Sequence, residues 1–199
     1  MTSHPLTFSR RSALKTLGGS LGAAAVWPYL SDQAAEAFAS IQATNAAPPL
    51  AFLTAAQYAT VGAVAETIIP TDAHSPGARE ARVADYIDLL LAESDQATNR
   101  EWTSGLAALD DESRRRFQAP FAQLGSAQAV DLLTTISANE LAPKTSLEQF
   151  FKATKDATIR GYYTSEIGIQ KELEYKGNRF LNEFVGCTHP EHGYDPSAK

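Results

Sequence analysis

The chain is punctuated by helix starts, and this limits the folds open to it more than any other feature. Thr54-Ala55-Ala56-Gln57 is a capping box, with Leu53 and Tyr58 placed to staple it, and Tyr58, Val61, Ala65 and Ile68 then recur at helical spacing until Pro70 stops the pattern. After a turn-rich loop from Thr71 to Gly77, Val83, Tyr86, Ile87, Leu90 and Leu91 form the stripe of a second helix, with Asp85 and Asp88 expected on its wet side. Thr98-Asn99-Arg100-Glu101 reads as a second capping box, opening a helix that buries Trp102, Leu106 and Leu109. An amphipathic piece through Phe117, Phe121 and Leu124 is interrupted by Pro120. Ser126 is placed to cap a helix carrying Val130, Leu133 and Ile136, and Ser146 with Gln149 opens a long one through Phe150, Phe151, Thr154, Thr158 and Tyr162. Strand signals are nearly absent. The expected fold class is all-α, a compact array of about five to seven helices. From Gly161 onward, Gly161, Gly168, Gly177, Gly186 and Gly193 interrupt a Tyr-, Phe- and Asn-rich stretch, which predicts an irregular tail lying across another surface.

Ahead of the helices, Ser9-Arg10-Arg11-Ser12-Ala13-Leu14-Lys15 places the Arg10/Arg11 pair before a short Gly/Ala-rich apolar stretch, Thr16 to Trp27. That order is the address read by the twin-arginine (Tat) export machinery, and the stretch is too short to span a bilayer core needing about 20 apolar residues. Small residues at Ala35-Glu36-Ala37 and Ala37-Phe38-Ala39 allow peptidase cleavage after Ala37 or Ala39. The expected organisation is a signal peptide over 1–39, a Pro48-Pro49 linker over 40–52, and a helical domain over 53–199 with its tail from about residue 161. The expected destination is the periplasm, with membrane attachment only through partners or an uncleaved signal.

Without residues 1–39 the chain loses Arg10, Arg11, Lys15, Asp32 and Glu36, and its formal charge moves from −6 to −7. Such an acidic protein repels phosphate backbones, and the one basic run, Arg114-Arg115-Arg116, reads as a solvated helix face, so no nucleic-acid partner is expected. The chain carries no dinucleotide fingerprint, no haem attachment motif and no cysteine cluster, so no cofactor is expected in it. It also has no G-x-S-x-G elbow and no catalytic constellation. Cys187 is the only cysteine. It is a free thiol, a buried small hydrophobe, or half of a disulfide to another polypeptide, its loop-like setting favouring the last. Cys187, His189, Glu191 and His192 form a string that lacks the second ligand cluster a zinc site usually needs, so no metal is expected.

At Gly161-Tyr162-Tyr163-Thr164-Ser165-Glu166-Ile167-Gly168, then Glu172-Leu173-Glu174-Tyr175 and Gly186-Cys187, the sequence resembles the small (third) subunit of gluconate 2-dehydrogenase. Ile68-Ile69-Pro70-Thr71-Asp72 and Ser75-Pro76-Gly77-Ala78 belong to the same resemblance. Two departures are the insertion Lys176 to Val185 and the tail Thr188 to Lys199, which resemble the branch that oxidises glycosides at the sugar C3 hydroxyl. The resemblance implies a non-catalytic small subunit of a periplasmic FAD-dependent sugar or glycoside dehydrogenase. Its partner would be a large flavoprotein of the glucose–methanol–choline type, carrying the FAD and passing electrons to a cytochrome c. The small subunit would stabilise that partner and escort it through Tat. The implied interface is Tyr162, Tyr163, Ser165, Glu166, Tyr175 and Cys187, with Cys187 a covalent tie. The competing reading is a free-standing periplasmic helical module that binds a small ligand.

Overall fold

The apolar stripes become five of the six α-helices in the computed structural model, which describes residues 30–44 and 47–177; the sixth, at the start, falls across the expected signal and linker boundary. They are α1 (Asp32–Ala43), α2 (Ala55–Ile68), α3 (Val83–Ala92), α4 (Gln96–Phe117), α5 (Ser126–Ser137) and α6 (Ser146–Tyr163), with a 3₁₀ turn at Phe121–Gln123 and a π-helical turn at Gly168–Glu172. No strand occurs among the described residues, and none of the described helices is long and apolar enough to cross a membrane. The expected all-α array is the fold observed.

α6 is the hub, touching α2, α3, α4, α5 and the π-helical turn, while α1 lies on α3. The sequence explains this position, since Phe150, Thr154, Ala157, Thr158 and Tyr162 repeat around one broad face and all are buried. Val61 and Val64 of α2, Ile87 and Leu91 of α3, Trp102 and Leu109 of α4, and Leu132 of α5 close over it. Burying each large apolar side chain contributes about 1.5–3 kcal/mol. The rings of Trp102 and Phe150 lock α4 to α6 edge to face, with centroids 5.6 Å apart.

The Thr54/Gln57 capping box forms as expected. The other starts are displaced. α4 is capped by Asp95, whose carboxylate accepts from Thr98 N, so Thr98 lies inside the helix. α5 begins after Gly125, whose N–H donates to Gln128 Oε1, so Ser126 is the first helical residue. At α6, Thr145 and Glu148 make the box that Ser146 and Gln149 were expected to make. Here the Glu148 carboxylate accepts from Lys144 N at 2.6 Å and Thr145 N at 3.0 Å, and also from Asn139 Nδ2 at 2.9 Å. The Asn139 amide, followed by those two backbone N–H groups, holds the Glu148 carboxyl down at about 2. A carboxyl depressed in the folded state contributes stability above its ordinary value near 4.5 and loses it as pH falls toward about 2. Melting temperature followed across that interval is therefore expected to drop more steeply for the native chain than for Glu148→Ala.

Val130, expected in the stripe of α5, is 52% exposed; Ala129, Leu132, Leu133 and Ile136 form the buried face. Asp85 and Asp88 are both buried rather than on a wet side. Asp85 Oδ2 receives the Tyr58 hydroxyl at 2.9 Å and Arg82 Nε at 2.7 Å. Burial, reinforced by that carboxylate, pushes the Tyr58 phenol up to about 12. Arg82 itself sits in the left-handed region at φ 59°, a conformation unfavourable by about 1–2 kcal/mol, held by its two-pronged pairing with Asp85. The Arg114-Arg115-Arg116 run lies on the outer face of α4, its guanidinium groups pairing with acidic residues such as Glu112 and Asp131.

The helical order expected to break at Gly161 continues to Tyr163. Gly161 is required inside the helix because α3 crosses there: a Cβ would lie 2.8 Å from Cδ1 and 3.0 Å from Cγ of Tyr86. At the other end, residues 32–43 are helical and docked, although the expected signal and linker boundary falls within them. Ala51 and Phe52, at the end of the expected linker, and Leu53, the first residue of the expected domain, are tied by their N–H groups to the Asp88 carboxylate.

Candidate interaction site at the end of α6

The two sequence blocks that carry the resemblance, 68–78 and 161–168, meet in space. The first is a rigid loop. The Asp72 carboxylate accepts from His74 N at 2.8 Å and Ser75 N at 2.9 Å, which lowers its pKa, and Thr71 Oγ1 accepts from Gly77 N at 2.8 Å. Glu66, from the last turns of α2, closes the loop by accepting from Arg79 N at 2.8 Å.

Into this loop α6 inserts the Tyr162 hydroxyl, which donates to the Pro76 carbonyl at 2.8 Å and lies 2.8 Å from Ser75 Oγ. With its one proton committed to Pro76, the phenol accepts from the Ser75 hydroxyl. Burial raises the Tyr162 pKa. Ser165 ends the helix: its hydroxyl donates to the Tyr162 carbonyl at 2.6 Å and accepts from Gly168 N at 3.0 Å. A second strut joins loop and π-helical turn, where His74 Nε2 lies 3.2 Å from the Glu172 carbonyl and 3.9 Å from its carboxylate. That carbonyl, first, raises the His74 pKa.

The expected interface residues therefore divide. Tyr162 and Ser165 are buried and form the joint. Tyr163, held edge to face against Tyr162 at 5.3 Å, is 39% exposed, and Tyr175 is 52% exposed. Glu166 is exposed, while its N–H donates to Gln42 Oε1 of α1 at 2.7 Å. Cys187, and with it His189, Glu191 and His192, lies outside the described residues, as do Arg10 and Arg11.

The same end of the molecule exposes two apolar side chains that the expected interface left out, Ile159 and the motif residue Leu173. Ile159 stands one turn before Tyr163 and shares with it a shallow groove bordered by Asp156, Arg160 and Thr164. The spacing from Tyr163, off the buried stripe of Thr154, Thr158 and Tyr162, was the available signal. Leu173 follows the π-helical turn directly.

Among the described residues no three His, Cys, Asp or Glu side chains gather as a metal-binding group. A cavity of about 280 Å³ between α4 and the start of α6 is lined by Trp102, Gly105, Phe150 and the polar Glu101, Ser104 and Gln149, with no histidine, lysine or cysteine on its wall. The chemistry this end of the molecule offers is a rigid aromatic and aliphatic surface beside charged residues, which suits a protein partner.

Residues 55–180 match the family model described as gluconate 2-dehydrogenase subunit 3. No curated protein and no solved structure matches the chain.

Proposed function

Because the chain belongs to the gluconate 2-dehydrogenase subunit 3 family, we propose that it is the non-catalytic small subunit of a periplasmic FAD-dependent sugar or glycoside dehydrogenase. It stabilises the large flavoprotein subunit and escorts it through the twin-arginine pathway. The FAD belongs to that partner, a flavoprotein of the glucose–methanol–choline type whose electron acceptor is a cytochrome c.

The observation that carries this reading is how the motif's residues are used. Tyr162, Ser165 and Gly168 build an internal joint with the 71–78 loop. That joint presents Ile159, Tyr163, Leu173 and Tyr175 on the outside, on a backbone fixed by hydrogen bonds on both sides. Tyrosine rings on a rigid support lose little entropy on docking and supply the buried area that dominates interface energies. A surface of this kind fits the role of a subunit whose work is to hold another. Cys187 follows Tyr175 by twelve positions in the sequence, and a disulfide from it to the flavoprotein would complete the attachment.

Co-expression with the FAD-bearing subunit tests this. The double variant Tyr163→Asp/Leu173→Asp is expected to keep the native melting temperature and to weaken the complex by about a hundredfold, which corresponds to about 2.7 kcal/mol for two desolvated anchors. Undiminished co-purification, or a flavoprotein fully active and exported when this chain is deleted, refutes the role.

A further inference from the structure

Residues 30–43 hold both sites at which a leader peptidase was expected to cut, and the fold uses this segment as a structural part. Leu30, Ala34 and Phe38 are 5%, 6% and 4% exposed, a stripe at helical spacing that packs on α3. The Phe38 ring meets Tyr86 edge to face with centroids 5.4 Å apart. Polar contacts fasten both ends of the helix. At its start, Ser31 N donates to Glu93 Oε2 at 2.9 Å, the Ser31 hydroxyl donates to the same carboxylate, and Ser31 Oγ accepts from Ala34 N as the cap. At its end, Gln42 Oε1 accepts from Glu166 N at 2.7 Å. That last bond reaches the exposed residue next to Ser165, so α1 is anchored on the same joint that presents the proposed partner surface.

We infer that residues 30–43 remain part of the working protein as a docked helix, so the chain is not cut after Ala37 or Ala39 once the domain has folded. The inference rests on the export reading of Arg10 and Arg11. A peptidase needs several residues in extended form on each side of the scissile bond. Both bonds, Ala37–Phe38 and Ala39–Ser40, lie in the middle of α1 (Asp32–Ala43). Reaching either one requires α1 to unwind and Phe38 to leave Tyr86, and the accessible fraction is set by the free energy of that local opening. A cut at either position would also remove Leu30, Ala34 and the Ser31 contact to Glu93, exposing the Tyr86 face of α3. A pathway that carries proteins already folded delivers this helix to the peptidase in its protected state.

Two measurements on the full chain, expressed with its flavoprotein partner and recovered from outside the cytoplasm, test this. Intact mass and N-terminal sequencing are expected to find a first residue at or before Leu30; a chain beginning at Phe38 or Ser40 overturns the inference. Hydrogen exchange is expected to be slowed about a hundredfold across residues 35–43 relative to an unstructured chain. Exchange there at the unstructured rate overturns it equally. An Arg10→Lys/Arg11→Lys variant keeps the two questions apart. If that variant is still exported, the twin-arginine reading fails, while mass and exchange continue to judge the retained helix.

Discussion

Replacing Asp88 by alanine is expected to lower the unfolding free energy by about 2–4 kcal/mol. The carboxylate is 4% exposed and accepts three successive backbone N–H groups, from Ala51 at 2.6 Å, Phe52 at 3.0 Å and Leu53 at 2.7 Å. Truncation leaves all three donors without it. Water can reach Ala51, which is exposed, so its loss is partly replaced; Leu53 is buried and its N–H meets no solvent. Charge-assisted bonds are worth about 1.5–3 kcal/mol each, and the estimate discounts the exposed member. The damage spreads to α2, because Leu53 precedes the Thr54 cap and anchors the chain as it enters the helix. Asp88→Asn keeps one acceptor but points an amide donor at other donors, so an intermediate loss is expected. Thermal unfolding of both variants measures the effect, about 2–4 °C per kcal/mol for a domain of this size. A shift for Asp88→Ala no larger than that of an exposed control such as Glu101→Ala would show that the clamp contributes nothing.

Asp88 also shows where the sequence stops being legible. Within α3 the 3.6 period puts Val83, Tyr86, Ile87, Leu90 and Leu91 on one face and the two aspartates on the other, and by that rule the aspartates are wet. They are buried because Tyr58 of α2 and the 51–53 segment cover that second face, an event of tertiary packing that leaves no local signal. The caps were ambiguous for a different reason. Thr145 and Ser146 both stand three residues before a residue that can complete a box, Glu148 and Gln149 respectively. What decides is charge, since Glu148 as a carboxylate gathers two backbone N–H groups and Asn139 at once. Gly161 read as a breaker because glycine costs about 1 kcal/mol in a helix interior, yet Tyr86 occupies the space a side chain would need. The inward Tyr162 and outward Tyr163 were legible from the period running through Phe150 and Thr154. Closure of the 71–78 loop on Tyr162 was not, because the partners lie 86 and 87 positions apart and each block makes sense as a turn alone.

Gly168→Ala is expected to lower stability by about 2–4 kcal/mol and to weaken the flavoprotein complex along with it. A Cβ at this position would fall far inside contact distance of the Tyr162 carbonyl oxygen, 2.8 Å from its carbon and 3.0 Å from Cα of Tyr163. Those neighbours are all backbone, so no rotamer change relieves the overlap; α6 and the π-helical turn must separate instead. Separation breaks the bond from Gly168 N to Ser165 Oγ and loosens the Ser165 hydroxyl on the Tyr162 carbonyl. The Tyr162 phenol then loses its alignment with Ser75 and Pro76. Tyr163 and Leu173, which flank the joint in sequence, move relative to each other, and the surface proposed to meet the partner loses its shape while the helices persist. Gly177→Ala is the matched control. Its φ is 86°, but nothing lies within 4 Å of the new Cβ, so only the left-handed backbone opposes it, at about 1–2 kcal/mol confined to one residue. Melting curves and co-purification of the two variants separate the cases: Gly168→Ala loses both stability and complex, whereas Gly177→Ala keeps the joint and the complex. Equal effects from the two would mean that the close approach at Gly168 is not what shapes this surface.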